Sequence, residues 1–232
     1  LKNKNISHYF HRLSNEYREQ DRLFLAKIFG HIAIIFYKIN QEFIGLSDVY
    51  QSLVLVYKHK FLLSQNNTYI KLAQNYAQKS LNLSQSKKLN NLHTCYFRLG
   101  EIEMLKNNFS SAINYFQKAL KFYPKNNSEK GSYQYHLGEA QYRHGDKKVG
   151  LNNLLNGLEI IQENKSKTDS FLINVWQSGC LMRLAELLRK DNPSQSQKYL
   201  SQADKIISND SRLIIRKRQL TDLKNKFNYG QK

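Results

Sequence analysis

Proline and glycine are scarce in this chain, two and ten among 232 residues. With so few turn-makers and 41% hydrophobic residues, sheets joined by many tight turns are excluded in favour of long helices with short connections. Cysteine is as scarce as proline, also two. Cys95 and Cys180 form no CxxC pair, which excludes a disulfide framework and reads each as a buried, reduced thiol in an apolar helical context. A long uninterrupted apolar run is also missing. The most hydrophobic stretch, LFLAKIFGHIAIIFYKI, is broken by Lys27 and His31, which a membrane span resists. The opening LKNKNISHYF lacks the apolar centre of a signal peptide. The expectation is a chain with no membrane span in a cytoplasmic setting. Its first residue is not Met, so a fragment or a processed product is expected.

Acidic residues are few: 18 Asp plus Glu face 36 Lys plus Arg, a net charge of +18. Such a balance draws acidic partners, including nonspecific nucleic acid. The excess is spread along the sequence, however. Residues 1–65 carry 9 basic and 5 acidic side chains, 66–188 carry 16 and 9, and 189–232 carry 11 and 4. A general bias toward Lys, in a chain also rich in Asn, Ile, Tyr and Phe, accounts for that spread as well as a basic surface does. Reactive-site motifs are absent too. There is no G-x-x-x-x-G-K-[ST], no G-x-G-x-x-G after a strand, no H-E-x-x-H and no G-x-S-x-G. His8 and His11 lie three apart on the first helix without an evident third ligand. The chain is expected to hold no catalytic residue, no metal and no cofactor.

What is present is periodic. In RLGEIEMLKNNFSSAINYFQKALKFYP the small residues Gly100, Ala112 and Ala119 alternate with Phe109, Tyr115 and Phe116 and end at Pro124. Twelve residues separate Gly100 from Ala112, so two antiparallel helices can approach closely there, with Tyr96 and Phe116 filling the remaining space. The spacing recurs from Ser14 to Ala26 and from Gly138 to Gly150. Residues 93–126 thereby resemble the tetratricopeptide repeat, of the bacterial type, through Tyr96, Leu99-Gly100, Ala112, Phe116, Ala119 and Pro124. The same frame fits Phe10, Leu13-Ser14, Tyr17, Ala26 and Ala33. It fits again at Leu137-Gly138, Gly145-Asp146, Gly150, Leu154 and Gly157, after a lengthened loop near KNNSEKG. Two copies are degenerate. One has a long first helix, an insertion near SQNN and Ala73, Ala77 and Ser80 in its second helix; the other has Leu184-Ala185 and Ala203, with one residue missing between its helices.

The resemblance implies an all-α, right-handed α-solenoid in a single domain, 1–232. Its repeats fall at about 7–40, 47–84, 93–126, 131–164 and 171–208. A last helix, 211–228, is expected to cap the array, with Asp210 or Ser211 as its N-cap and Leu213, Leu220, Leu223 and Phe227 on one face.

In that family the first helix of each repeat lines a concave groove that binds extended peptides or partner helices. Carried over, the groove residues are His11, Asn15, Arg18, Gln51, Leu55, Lys58, Phe97, Arg98, Glu101, Tyr135, Glu139, Tyr142, Met182, Arg183, Glu186 and Arg189. Aromatic anchors, arginines able to bind in bidentate fashion and carboxylates suit peptide recognition. Glu101, Glu139 and Glu186 recur at one place in three repeats and read as groove lining, so Glu101→Ala is expected to leave folding nearly unchanged. One subtype clamps a terminal carboxylate with five polar residues. Asn15 and Arg98 match it, but His11, Ser52 and Thr94 stand where Lys, Asn and Lys are needed, so that clamp is not expected. The leading expectation is a non-enzymatic protein-interaction scaffold with a protein or peptide ligand. The alternatives are a nucleic-acid-binding helical solenoid, using Tyr135 and Tyr142, and the sensor part of a larger regulator.

Overall fold

A computed structural model of the chain describes residues 4–229 except 124 and 126. Among these residues there are eleven α-helices and no strand. The chain divides into two compact units, residues 1–122 and 123–232, and within each unit consecutive helices pack against one another.

The first unit holds α1 (Lys4–Glu19), α2 (Leu23–Ile39), α3 (Phe43–Ser64), α4 (Asn67–Ser86), α5 (Leu92–Leu105) and α6 (Phe109–Phe122). These form three successive pairs. The twelve-residue spacing is a direct contact in the first pair, where Ser14 Oγ donates to the Ala26 carbonyl at 2.8 Å. In the third pair Gly100 lies under the Phe116 ring, with Ala112, Phe116 and Ala119 fully buried. The middle pair departs from expectation. Its link is only Gln65 and Asn66, so the extra residues lengthen α3 and α4 instead of forming an insertion. Ser47 and Ser80 bind each other at 2.8 Å across this pair. They join a buried network in which Ser84 Oγ donates to Asn91 Oδ1 at 2.8 Å and Asn91 Nδ2 donates to Asp48 at 2.8 Å.

The second unit holds α7 (Ser128–His144), α8 (Lys147–Glu163), α9 (Ser170–Leu188), α10 (Pro193–Ser208) and α11 (Ile214–Tyr229), with a short 3₁₀ turn at Lys165–Lys167. Much of KNNSEKG is helical: Asn127 caps α7 by accepting from the Glu129 N–H at 3.1 Å. Pro124, expected to close the third repeat, lies outside the described residues. In the last pair Ser196 Oγ donates to the Ala185 carbonyl at 2.6 Å. Leu213, Leu220 and Leu223 are buried beside Leu181 and Leu200, with Phe227 packed against them. The last helix begins at Ile214, however, and neither Asp210 nor Ser211 caps it. The Asp210 carboxylate is taken instead by Arg212 and by Asn174 Nδ2, both near 2.9 Å or closer.

Short turns in a chain poor in glycine need another source of left-handed backbone. Asp21, Gln41, Lys88 and Asn107 supply it, with φ between 52° and 60°. At each, the next residue's N–H reaches back five residues, as from Arg22 to the Tyr17 carbonyl at 2.8 Å and from Asn108 to the Glu103 carbonyl at 2.9 Å. This is the Schellman closure, adopted without glycine. Among the described residues glycine takes the role only at Gly145, with φ 118°.

Candidate functional site

The face carried by the first helix of each pair is built from side chains that reach the next first helix. Helical periodicity puts residues three and four apart on one face, so Arg98 and Glu101 meet within α5, at 2.5 Å. Lys58 on α3 binds the other oxygen of the same carboxylate. Glu101 is 6% exposed, a buried tie between α3 and α5 instead of an open groove lining. Removing it withdraws a counter-charge from two largely buried cations, so a cost in stability is expected where the sequence predicted none for Glu101→Ala.

In the second unit the pattern extends into a ladder. Arg143 on α7 holds Glu139 at 3.0 Å and Glu186 of α9 at 3.0 Å. Arg183 on α9 holds the same two carboxylates at 3.3 and 3.1 Å. Lys226 of α11 reaches Glu186 at 2.6 Å. Burial would raise the Glu186 pKa, but Arg183, Lys226 and Arg143 outweigh it and hold it at about 2. Arg189 donates to the Lys226 carbonyl at 2.9 Å and to that of Phe227, and lies over the Phe227 ring at 4.4 Å. Tyr142 donates to the Leu187 carbonyl at 3.3 Å and Asp191 at 3.1 Å.

The predicted groove residues therefore separate. Gln51, Phe97, Glu101, Tyr135, Glu139 and Met182 are buried. Gln51 donates to Cys95 Sγ at 3.6 Å, Phe97 packs on Phe116, and Tyr135 stacks on His136. Asn15, Arg18, Leu55, Lys58, Arg98, Tyr142, Arg183, Glu186 and Arg189 are half-buried, with Arg18 against Glu19. The sequence reading missed Arg143 and Lys226. Arg143 was signalled by its position four residues after Glu139, whereas Lys226 has no local sign.

His11 belongs to a hydrogen-bonded chain across three helices. It lies 2.8 Å from Ser52 Oγ through Nε2 and 3.3 Å from the Tyr37 hydroxyl through Nδ1. The same hydroxyl is 3.1 Å from His8 Nδ1, and His8 Nε2 is 3.2 Å from Glu42. One set of donors serves every link: Ser52 to His11, His11 to Tyr37, Tyr37 to His8, and His8 to Glu42. It requires neutral His11. Burial first, then Arg18 and His8, lowers the His11 pKa to about 4. Its unfolded form takes up a proton near 6.5, so between pH 6.5 and 4 the unfolded state binds more protons and stability is lost as the pH is lowered. The first unit is expected to lose about 2 kcal/mol between pH 7 and 5 from this group, read as a drop in urea midpoint. In His11→Gln that drop should shrink; an equal drop in both proteins would refute the assignment.

The two cysteines are free and buried, and burial pushes the Cys180 thiol far above its usual range. Among the described residues no group of three His, Cys, Asp or Glu side chains is placed to hold a metal ion, and no helix is long and apolar enough to cross a membrane.

Residues 93–126 match the family model of the tetratricopeptide repeat. No curated protein matches the chain. Among solved structures it is similar to BtubC (BKLC) from P. vanneervenii, with 16% identity over 83% of this chain and 76% of that one, at a TM-score of 0.59. That likeness shows the fold. The chain is also similar to the APC/C hetero-tetramer Cut9-Hcn1, with 18% identity over 91% of this chain and a TM-score of 0.48, spanning 40% of that chain.

Proposed function

We propose that this chain, with a tetratricopeptide match at 93–126, is a non-enzymatic scaffold. It binds an extended acidic peptide or protein segment on the first-helix face, in a cytoplasmic setting consistent with its two reduced cysteines. The observation that carries the reading is the charge of the ladder. Around Glu139 and Glu186 stand Arg143, Arg183 and Lys226, and the side chains of Arg183 and Lys226 are 43% and 66% exposed. The carboxylates orient these cations and leave a positive surplus at the surface, where a ligand carboxylate can share a guanidinium edge. The same pairing offsets the repulsion that Glu139 and Glu186 would otherwise exert on nucleic-acid phosphates. A base-stacking solenoid loses support elsewhere, because Tyr135 is 2% exposed and Tyr142 is engaged with Asp191.

The test is fluorescence anisotropy with an acidic dodecapeptide and its Asn/Gln counterpart. The acidic peptide is expected to bind in the micromolar range, about −8 kcal/mol. Arg183→Ala combined with Lys226→Ala should weaken it roughly tenfold or more. Tyr135 is left unchanged, since truncating it would perturb the core. Equal binding of both peptides would refute the proposal. Tighter binding to random RNA that survives the double substitution would favour nucleic acid.

A further inference from the structure

Helix α2 breaks the rule that an apolar face is turned to the core. Its inward side is satisfied, with Leu23, Ala26, Gly30, Ala33, Ile34 and Tyr37 all buried. On the opposite side, at intervals of four and seven, stand Phe24, Ile28, Ile35 and Ile39, with Ile32 beside them. Phe24, Ile35 and Ile39 are 64%, 56% and 68% exposed. A helix with apolar residues on two opposite sides is normally covered on both. Here it forms a solvent-facing ridge about 22 Å long from Phe24 to Ile39, at 1.5 Å per residue.

The charges that α2 itself contributes beside the ridge are of one sign. No Asp or Glu occurs anywhere in α2. Lys27 and Lys38 follow one edge, and Lys27 Nζ lies 5.7 Å from the Phe24 ring centre. On the other edge Phe29 and Phe36 stack on Phe10 of α1 at 6.0 and 5.7 Å, fixing the ridge to the fold.

We propose that this ridge docks on an anionic lipid surface, with Phe24, Ile28, Ile35 and Ile39 entering the acyl boundary and Lys27 and Lys38 reaching the phosphates. Charge decides against a second copy. Aligning two α2 helices antiparallel about the middle of the ridge brings Lys27 of one near Lys38 of the other, with no acidic residue on α2 to answer them. The chemistry of the ridge decides for lipid over an acidic protein. Its exposed members are aliphatic or phenyl, without a hydrogen-bonding group to fix a protein partner's register, and protein interfaces carry such bonds regularly. A bilayer interface needs only apolar area and flanking cations, which extend their stems over the apolar surface.

The experiment is co-sedimentation of the full chain with phosphatidylcholine vesicles, with and without phosphatidylglycerol, at physiological salt. Binding should require phosphatidylglycerol. Phe24→Ser/Ile35→Ser/Ile39→Ser should weaken it roughly 100-fold while the helical circular-dichroism signal is kept, because these positions face solvent. Phe24→Trp provides an independent reading: its emission should shift to the blue when phosphatidylglycerol vesicles are added. Three results would overturn the proposal: no binding, binding retained by the triple variant through diffuse charge alone, or a concentration-dependent dimer that the triple variant abolishes.

Discussion

Gly150→Ala is expected to destabilise the second unit by about 3 kcal/mol, and Gly150→Val by more than about 4. The cause is an approach of backbone to backbone. A Cβ at Gly150 would stand 2.4 Å from the Tyr142 nitrogen and 2.7 Å from the Gly138 carbonyl oxygen. The relation is reciprocal: at Gly138 it would stand 2.6 Å from both the Gly150 oxygen and the Leu154 nitrogen. No rotamer relieves such a contact, so α7 and α8 must separate along their crossing, where Gly131 and Gly157 are in similar contact. Helix propensity works in the opposite direction, favouring Ala over Gly by about 1 kcal/mol, so a net loss isolates the crossing. Gly100 gives the contrast. There the new methyl would meet the Phe116 ring, at 2.5 Å, and a ring can shift. Gly100→Ala is expected to cost about 1 kcal/mol, and Gly100→Leu roughly 2 to 4. Urea titrations of these variants provide the check. Equal losses for Gly100→Ala and Gly150→Ala would refute the distinction between ring and backbone contact.

Glu186→Ala is expected to cost about 3 kcal/mol. The carboxylate joins Arg143 of α7, Arg183 of α9 and Lys226 of α11, and its side chain is 16% exposed. Its loss leaves Arg143 and Arg183 to share Glu139. The pH dependence supplies a signature that a packing defect would not. With a folded pKa of about 2 against an ordinary 4.5, the contribution of Glu186 is complete above pH 4.5. It disappears as pH falls to 2, because there the unfolded state binds the extra proton. The full difference is about 3 kcal/mol. Glu186→Gln should remove this portion of the acid sensitivity, measured as the change in urea midpoint from pH 5 to pH 3. An unchanged profile would show that Glu186 is not the group responsible. This window lies below most of the His11 window, so the two contributions can be read from one pH series.

The helix pairs were legible because their contacts are local and periodic. Ser14 and Ala26, or Gly138 and Gly150, lie twelve residues apart on either side of a short turn, and a 3.6-residue period fixes which faces can meet. The buried face of α11 was legible for the same reason. Its start was not: Asp210 has the side chain of a helix cap, but Arg212 and Asn174 compete for that carboxylate, and Asn174 is supplied from 36 residues upstream. The turns at Asp21, Gln41, Lys88 and Asn107 gave no sign either, since nothing in their identity demands a left-handed backbone.

The candidate surface was legible as a set of positions and illegible as a state. Sequence placed Arg98, Glu101, Glu139, Arg183 and Glu186 on the first helices. It did not show that Lys58 lies against Glu101, 43 residues on, or Arg143 against Glu186 across the same interval. The sequence by itself determined the all-helical class, the pairing of neighbours and the small residues at their crossings, since these follow from composition and short-range periodicity. Only the tertiary structure decided which charges are exposed, which are ties between helices, and that α2 turns an apolar ridge to solvent. Those outcomes depend on how successive pairs rotate against one another, and that rotation is set by packing between residues distant in sequence.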